Sequence, residues 1–382
     1  MRIVFFTESL LPLVDGVSHT LGHLFATLEA EGVDFRVYAP FVPPADVPWQ
    51  QRTRRVRSFT FPLYRDYRVS LPGGRRIAAE LDAWQPDIVH VVSPTPMAIW
   101  AQAYARTRGI PVVATFHTHF VAYFPYYGVG RLERVGWHML RWFYGRCTAV
   151  FAPSTSIIEE LNAHGIQDVH LWSRGVDARL FSPDWRDDAL RARLGADERV
   201  PLVLLVSRLV KEKDLADFVA MDLQLRSRQL DYRLALVGDG PMRSKLEREL
   251  PHACFAGHQS GLALSRWYAS ADIFVFPSTT ETFANVVQEA LASGVPAVVT
   301  DRGGPQDVIE DGHSGLVANA NDPIDLADKV ERLIRSREMR IAMARAARQR
   351  AQERSWSAVN AVLLREYEHI AGKRPEAARR WA

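Results

Sequence analysis

An α/β protein of two doubly wound, Rossmann-like domains facing each other across a cleft is what these 382 residues predict. Short apolar runs alternate with longer amphipathic ones, the pattern of parallel sheets covered by helices on both faces. The pattern runs twice. A polar, turn-rich stretch, Ser182-Pro183-Asp184-Trp185-Arg186-Asp187-Asp188, separates the two runs and reads as a linker.

The first run opens on Arg2-Ile3-Val4-Phe5-Phe6 and turns polar at Thr7 and Glu8. That reads as a first buried strand, over 2–7, and not as a signal peptide with a small-residue cleavage site. Further strands are expected at 35–39, 87–92, 111–116 and 149–152, and the run ends near Trp172. The second begins at Pro201-Leu202-Val203-Leu204-Leu205-Val206, giving strands at 202–207, 233–238, 273–277 and 297–300. The first domain is expected over residues 1–183 and the second over 184–356. An amphipathic helix over 357–371, a candidate to rejoin the first domain, and a loose tail follow. In such sheets ligands bind beyond the carboxyl ends of the strands, so residues just after each strand are the candidates for function.

Length and composition agree. The chain is too long for one ordinary core, and 47% hydrophobic with 24% charged residues is ordinary for a globular protein. No apolar run has the length of a membrane-spanning helix. Cys147 and Cys254 stand far apart in sequence, which speaks against a disulfide framework or a zinc site and for a reducing cytoplasm. Charge is unevenly spread. Residues 51–150 hold fourteen Arg, no Lys and five acids, a net +9, which leaves −6 for the rest of a chain whose total is +3. A basic segment of this kind points to an anionic surface or substrate.

Phe276 to Pro296 carries the strongest signal. A buried strand ends at Pro277, a polar loop follows, and Thr282 is placed to cap a helix that Gly294 and Pro296 stop. The helix N-terminus would offer free N–H groups to a diphosphate or a sugar hydroxyl. Glu281 sits at its mouth and Glu289 two turns deeper, and each carboxylate can accept two hydroxyl hydrogen bonds. Alternatively Glu281 merely favours the helix dipole and Glu289 is solvated. After the first strand of the second domain, Arg208 and Lys213 are placed to meet a diphosphate, whose charge builds as it leaves. An ordinary basic loop would read the same. Asp15-Gly16-Val17 follows the first strand and lets backbone approach a phosphate, without the dinucleotide fingerprint. Thr115-Phe116-His117-Thr118-His119 ends another strand. No Cys or carboxylate completes a metal set there, so no metal is assigned. The choice lies between a substrate-binding His and a structural one. Finally, basic and aromatic residues interleave over 123–146. An anionic bilayer would suit them, nucleic acid lacks a recognisable module here, and some of the aromatics are expected in the core.

Together these residues resemble the retaining glycosyltransferases of family 4, which have the two-domain GT-B fold, from Phe5 to about Ile370. Glu281 through Glu289, followed by Ala290-Leu291-Ala292-Ser293-Gly294-Val295-Pro296, is similar to the family's glutamate motif. Arg208 with Lys213 looks like its basic pair, Asp15-Gly16-Val17 like its glycine loop, and Gly175-Val176-Asp177 with Phe181 like its domain-joining segment. Phe116-His117-Thr118, the aromatic-rich stretch after it and Arg174-Gly175-Val176-Asp177 look most like the branch that glycosylates diacylglycerol-type lipids, the sulfoquinovosyl- and mannosyltransferases.

The resemblance implies that Glu289 holds ribose, and that Glu281 with the backbone at Phe283, Ala284 and Asn285 holds the donor sugar. Arg208, Lys213 and Gly16 would hold the diphosphate, and His117 would lie near the transferred sugar. Val17, Gly257 and Val286 complete the donor set. Asp15, His119, Tyr123, Tyr127 and Arg174 are the acceptor candidates. The family usually has Gly where this chain has Ala284, and Ala is expected to fit because the position should already be helical. In the loop after the last long strand the family often has Glu where this chain has Asp307, and no role is assigned to it.

The expectation is a retaining, metal-independent hexosyltransferase that uses a GDP- or UDP-linked sugar as co-substrate and needs no other cofactor. The acceptor hydroxyl would belong to a glycerolipid or glycolipid, with peripheral contact to an anionic membrane, at the cytoplasmic face of the plasma membrane, and no nucleic-acid partner. Attack would come from the front face with no covalent nucleophile. A soluble or polysaccharide acceptor, a nucleotide-sugar 2-epimerase and a non-catalytic binder are the alternatives.

Overall fold

The computed structural model describes residues 1–13, 15–61 and 64–372, with residues 61 and 64–67 described by their backbone alone. Val14 and the tail beyond residue 372 therefore lie outside the described residues. The chain forms two compact units. One comprises Met1–Val121, Arg131–Arg174 and the segment from Trp356; the other comprises Ala122–Gly130 and Gly175–Ser355.

The first unit holds a seven-stranded parallel sheet. In chain order its strands are β1 (Arg2–Phe6), β2 (Asp34–Ala39), β3 (Thr53–Arg55), and, after a separate antiparallel hairpin β4 (Ser58–Phe61) and β5 (Tyr64–Ser70), β6 (Ile88–Val91), β7 (Val112–Thr115), β8 (Ala149–Ala152) and β9 (Val169–Leu171). Their spatial order is β3-β2-β1-β6-β7-β8-β9. Both faces are covered, so the central strands read as continuous apolar runs. Ile3, Phe5, Val113 and Phe151 pack against Leu21 and Phe25 of the helix Gly16–Ala30 and against Leu363 and Tyr367 of the final helix, Trp356–Gly372. On the other face Phe6 stacks on Tyr38 at 5.3 Å and meets Trp100 at 6.1 Å.

The second unit holds β10 (Leu202–Val206), β11 (Arg233–Val237), β12 (Cys254–Gly257), β13 (Ile273–Phe276), β14 (Ala297–Thr300) and β15 (Gly315–Ala318). All are parallel, in the order β12-β11-β10-β13-β14-β15, which is a complete doubly wound sheet. Alternate residues go to opposite faces: Leu202 and Leu204 to one core, Val203 and Leu205 to the other.

Sequence periodicity missed the hairpin β4–β5 and, in the two parallel sheets, β3, β9, β12 and β15, which are their edges. β3 and β9 bury little, so their apolar signal is weak: in β3 only Thr53 is buried, and in β9 only Val169 is even partly buried. The stretch read as a linker also differs. Residues 182–188 form a short turn at Pro183–Trp185 and enter the helix Asp188–Leu194, while the two units part at Arg174/Gly175. The reason is packing. Val176 and Phe181 are buried in the second unit's core, and the Arg348 guanidinium donates to the carbonyls of Ala178, Phe181 and Ala292.

Candidate functional site

In the second unit strand order reverses between β10 and β13, so the segments leaving their carboxyl ends define the binding position of this sheet class. Ser207–Lys213 leaves β10 and Pro277–Ala284 leaves β13. The two segments that carry the charged motifs are thus neighbours, and hydrogen bonds join them closely. The Ser278 and Thr280 hydroxyls both donate to the Glu212 carbonyl, at 3.3 and 2.9 Å. The Lys213 ammonium donates to Glu281 Oε1. Asp214, whose backbone is left-handed with φ of 50°, turns its carboxylate into the same seam. It accepts from Thr279 N at 2.8 Å, Thr279 Oγ1 at 2.8 Å and Tyr126 Oη at 2.6 Å.

Two further loops brace this pair. Gly238 has φ of 132°, and a Cβ there would run into the Ser207 carbonyl, so only glycine lets the β11 loop lie on the Arg208 segment. After β14, Gly304 N donates to the Glu281 carbonyl at 2.8 Å, and a Cβ at Gly304 would meet the Thr282 carbonyl. Glu281 is therefore held through its backbone by one loop and through its carboxylate by another.

The helix behind Glu281 spans Asn285–Ala292. Thr282 is not its cap. That position is Ala284, at φ −116° and ψ 92°, with no side-chain acceptor to offer the first turn. The N–H groups there stay available to an anion. Ala284 is not helical, contrary to expectation, yet a negative φ needs no glycine. Phe283 is buried in the core, and Asn285 and Val286 are half-buried at the helix start. Glu289, on the same helix, accepts from Tyr268 Oη at 2.9 Å. Burial pushes its carboxyl up to about 7, with the Tyr268 bond opposing. Arg208 is exposed, its guanidinium 3.9 Å from Glu212. Gly257, at φ 69°, ends β12 and gives its carbonyl to Gly238 N.

Tyr123 and Tyr127, expected to meet an acceptor, lie in the 122–130 segment that packs with the second unit. Tyr127 Oη donates to Glu212 at 3.2 Å. Burial, with Glu281 and Glu212 nearby, pushes the Tyr123 phenol above its ordinary range.

The first unit distributes its candidates differently. Asp15 caps its own helix: Ser18 N donates to its carboxylate at 2.7 Å, and Asp15 N donates to Ser18 Oγ at 2.9 Å. Gly16 is exposed at the helix start, while Val17 leans on the core. His119 is buried and bonded to Glu160 at 2.9 Å, with its ring edge-on to Phe116 and Trp137. The packing and the bond to Glu160 give it a structural place. His117 is buried, and its Nδ1 lies 2.6 Å from Arg174 Nη2. Arg174, another acceptor candidate, is itself buried, donates also to the Trp172 and Ser173 carbonyls, and lies over the Trp172 ring. Sequence reading missed Glu8. It is buried just after β1, bonded to Thr95 and Ser70, and burial pushes its carboxyl up to about 7. It also missed Asp214, Tyr268 and Gly303-Gly304, whose roles depend on partners distant in sequence.

The basic-aromatic stretch divides in two. On the helix Glu133–Tyr144, Trp137, Leu140, Phe143 and Tyr144 are buried. Leu132, Val135, Met139 and Trp142 form an exposed apolar stripe, flanked by the exposed Arg131, Arg134, His138, Arg141 and Arg146. Among the described residues no helix is long and apolar enough to cross a membrane.

A doubly wound sheet whose switch point gathers a lysine, an arginine, two carboxylates and an uncapped helix start defines a binder of anionic, hydroxyl-rich ligands. Comparison with known proteins gives the class its name. Residues 14–180 match the family described as Glycosyltransferase Family 4, and residues 186–350 that described as Glycosyl transferases group 1. The chain is 37% identical over 383 residues to a GDP-mannose-dependent alpha-mannosyltransferase of Mycolicibacterium smegmatis, covering 98% of this chain and 99% of that one. It is 35% identical over 320 residues to the sulfoquinovosyl transferase SQD2 of Arabidopsis thaliana, covering 81% of this chain and 62% of that one. Sucrose-phosphate synthase from Thermosynechococcus elongatus shares its fold, with a TM-score of 0.77 and 19% identity over 97% of this chain and 98% of that one. The chain belongs to glycosyltransferase family 4 and is a glycosyltransferase of the GT-B fold.

Proposed function

We propose that this enzyme moves mannose from GDP-mannose, with retention of anomeric configuration, to a hydroxyl of a glycerolipid or glycolipid at an anionic membrane surface. The observation that carries the reading is the joined pair of segments in the second unit, in which Lys213 bonds Glu281 ahead of an uncapped helix that carries Glu289. Glu289 takes the ribose hydroxyls. Lys213, with two N–H bonds beyond the one given to Glu281, and Arg208 take the diphosphate. Glu281 and the backbone at Phe283, Ala284 and Asn285 take the sugar.

In this reaction the bond from the anomeric carbon to the diphosphate oxygen breaks, and the acceptor oxygen bonds to that carbon on the same face. The acceptor proton passes to the departing diphosphate. Positioning and stabilisation of the leaving charge supply the catalysis, with no step through a metal. GDP-mannose is supported by the mannosyltransferase relatives of both M. smegmatis and Mycobacterium tuberculosis. A lipid acceptor is supported by the alpha-monoglucosyldiacylglycerol synthase relative of Acholeplasma laidlawii and by the stripe of Leu132, Val135, Met139 and Trp142 between basic residues, which suits an anionic interface.

Thermal melting with GDP-mannose, UDP-glucose and UDP-galactose tests the donor. GDP-mannose at a hundred times its dissociation constant should add about 2.7 kcal/mol, and stabilisation by a UDP-sugar alone would replace that donor. Mannose transfer to diacylglycerol-based lipids in anionic vesicles tests the acceptor, and transfer only to soluble glycans would remove the lipid.

A further inference from the structure

We propose that Arg174 is a positioning residue that fixes His117 as a neutral imidazole with its proton on Nε2. His117 then meets substrate only as a hydrogen-bond donor and never as a base. The geometry determines the tautomer. A guanidinium has five N–H bonds and no lone pair to receive one. In the 2.6 Å contact between Arg174 Nη2 and His117 Nδ1, arginine must donate and Nδ1 must carry the lone pair. An imidazolium would set N–H against N–H and two positive charges against each other in a buried place. The single ring proton therefore sits on Nε2.

The arrangement is held from several sides. Arg174 Nη1 donates to the Trp172 carbonyl at 3.1 Å and the Ser173 carbonyl at 3.4 Å, and its guanidinium lies 5.0 Å from the Trp172 ring centre. Trp172 is fixed in turn: its Nε1 donates to Asn360 Oδ1 at 3.3 Å, and Asn360 Nδ2 donates to Thr27 Oγ1 at 2.9 Å. Trp172 meets the His117 ring edge-on at 5.8 Å. Arg174 and His90 both act electrostatically on His117. Both disfavour its protonation, and burial disfavours it most. His90 is no competing proton source, because burial pushes it down to about 3.

For the reaction proposed above, on which this inference rests, the consequence is definite. A ring nitrogen that already bears its proton cannot take the acceptor's. That proton must leave by another route, and the departing diphosphate remains to receive it. His117 contributes a directed N–H to a substrate oxygen.

The test needs neither donor nor acceptor, so its failure is separate from failure of the transferase reading. Nitrogen NMR of the labelled full chain, with His117→Gln to assign the signals, should show a bare Nδ1 and a protonated Nε2, with no titration between about pH 5 and 8. A proton on Nδ1, or a midpoint within that range, overturns the proposal. In Arg174→Gln the new amide oxygen can accept from Nδ1, so both tautomers and a titration should appear. Its transfer rate should fall at least roughly tenfold, mainly in kcat, with an acid limb the parent lacks. Arg174→Lys keeps a donor and should recover part of that rate. An unchanged tautomer and pH profile in Arg174→Gln would overturn the proposal, and if that variant does not fold the parent spectrum decides alone.

Discussion

The two units carry the same kind of sheet and end their central strands in opposite kinds of chemistry. At the β10/β13 reversal the second unit collects the charged groups Lys213, Glu281 and Arg208 on segments that hold one another. Beyond β7 the first unit buries a neutral histidine under an arginine, and beyond β1 it buries a carboxyl that its surroundings push up to about 7. On the proposed function, the difference reflects what each has to bind. A diphosphate sugar brings two negative charges that grow as it leaves, so its site needs cations and oriented N–H groups. On the proposed reading, the first unit's buried histidine offers its N–H to an uncharged substrate oxygen, which needs no cation.

The largest effect should come from the charged unit. Lys213→Ala is expected to lower kcat/KM by a hundred- to a thousandfold, roughly the cost of removing one donor to a developing oxyanion. A comparable loss in donor affinity by calorimetry would place the effect in binding, and near-normal turnover would erase the contrast between the units. Next, the exposed helix of the first unit should govern contact with lipid. Met139→Glu with Trp142→Glu should weaken co-sedimentation with anionic vesicles by roughly a hundredfold, while the fold is kept because both side chains are exposed. Unchanged sedimentation would leave that helix face without a part in the comparison.

Glu289→Gln should separate stability from function. Its carboxyl holds its proton more tightly folded, at about 7, than at its ordinary 4.5. The free protein therefore loses stability as pH rises between those values, and above them Gln should be the more stable variant by on the order of 2 kcal/mol. Nucleotide affinity should fall at the same time, by about tenfold. Equal melting of the two proteins at high pH would show that the buried carboxylate costs nothing. The smallest change is Tyr126→Phe. It removes one hydrogen bond to Asp214, worth about 1 kcal/mol, and should raise the donor dissociation constant a few-fold. No change at all would mean that the 122–130 segment does not steady the Asp214 seam.

The fold was legible in the sequence wherever strands are buried on both faces. Leu202–Val206 and Ile273–Phe276 are near-unbroken apolar runs because helices cover them above and below. The edges β3 and β9 were not legible, since half-exposed strands admit Arg and His. The meeting of Lys213 and Glu281 was legible for a related reason. Arg208, Lys213 and Glu281 follow their strands within a few residues, and Glu289 lies on the helix directly after, so position along the chain approximates position in space. Asp214 and Tyr268 escaped because their partners are 65 and 21 residues away. His117 was seen, but nothing near it in sequence signals that its partner would be Arg174, 57 residues on. The Thr282 cap failed because the helix starts two residues later, with Ala284 in the cap position, while Gly304 packs against the Thr282 carbonyl from 22 residues on in the chain.

The final helix, Trp356–Gly372, closes the core of a unit whose strands end at Leu171. On the ribosome those strands emerge first, then all of residues 175–355, and only then Leu363 and Tyr367. Throughout that interval the sheet face carrying Ile3, Phe5, Val113 and Phe151 lacks its cover. The nascent chain thus has one apolar surface to shield for as long as it takes to make an entire second unit, and a message cut short anywhere in that span yields a protein that cannot close its core.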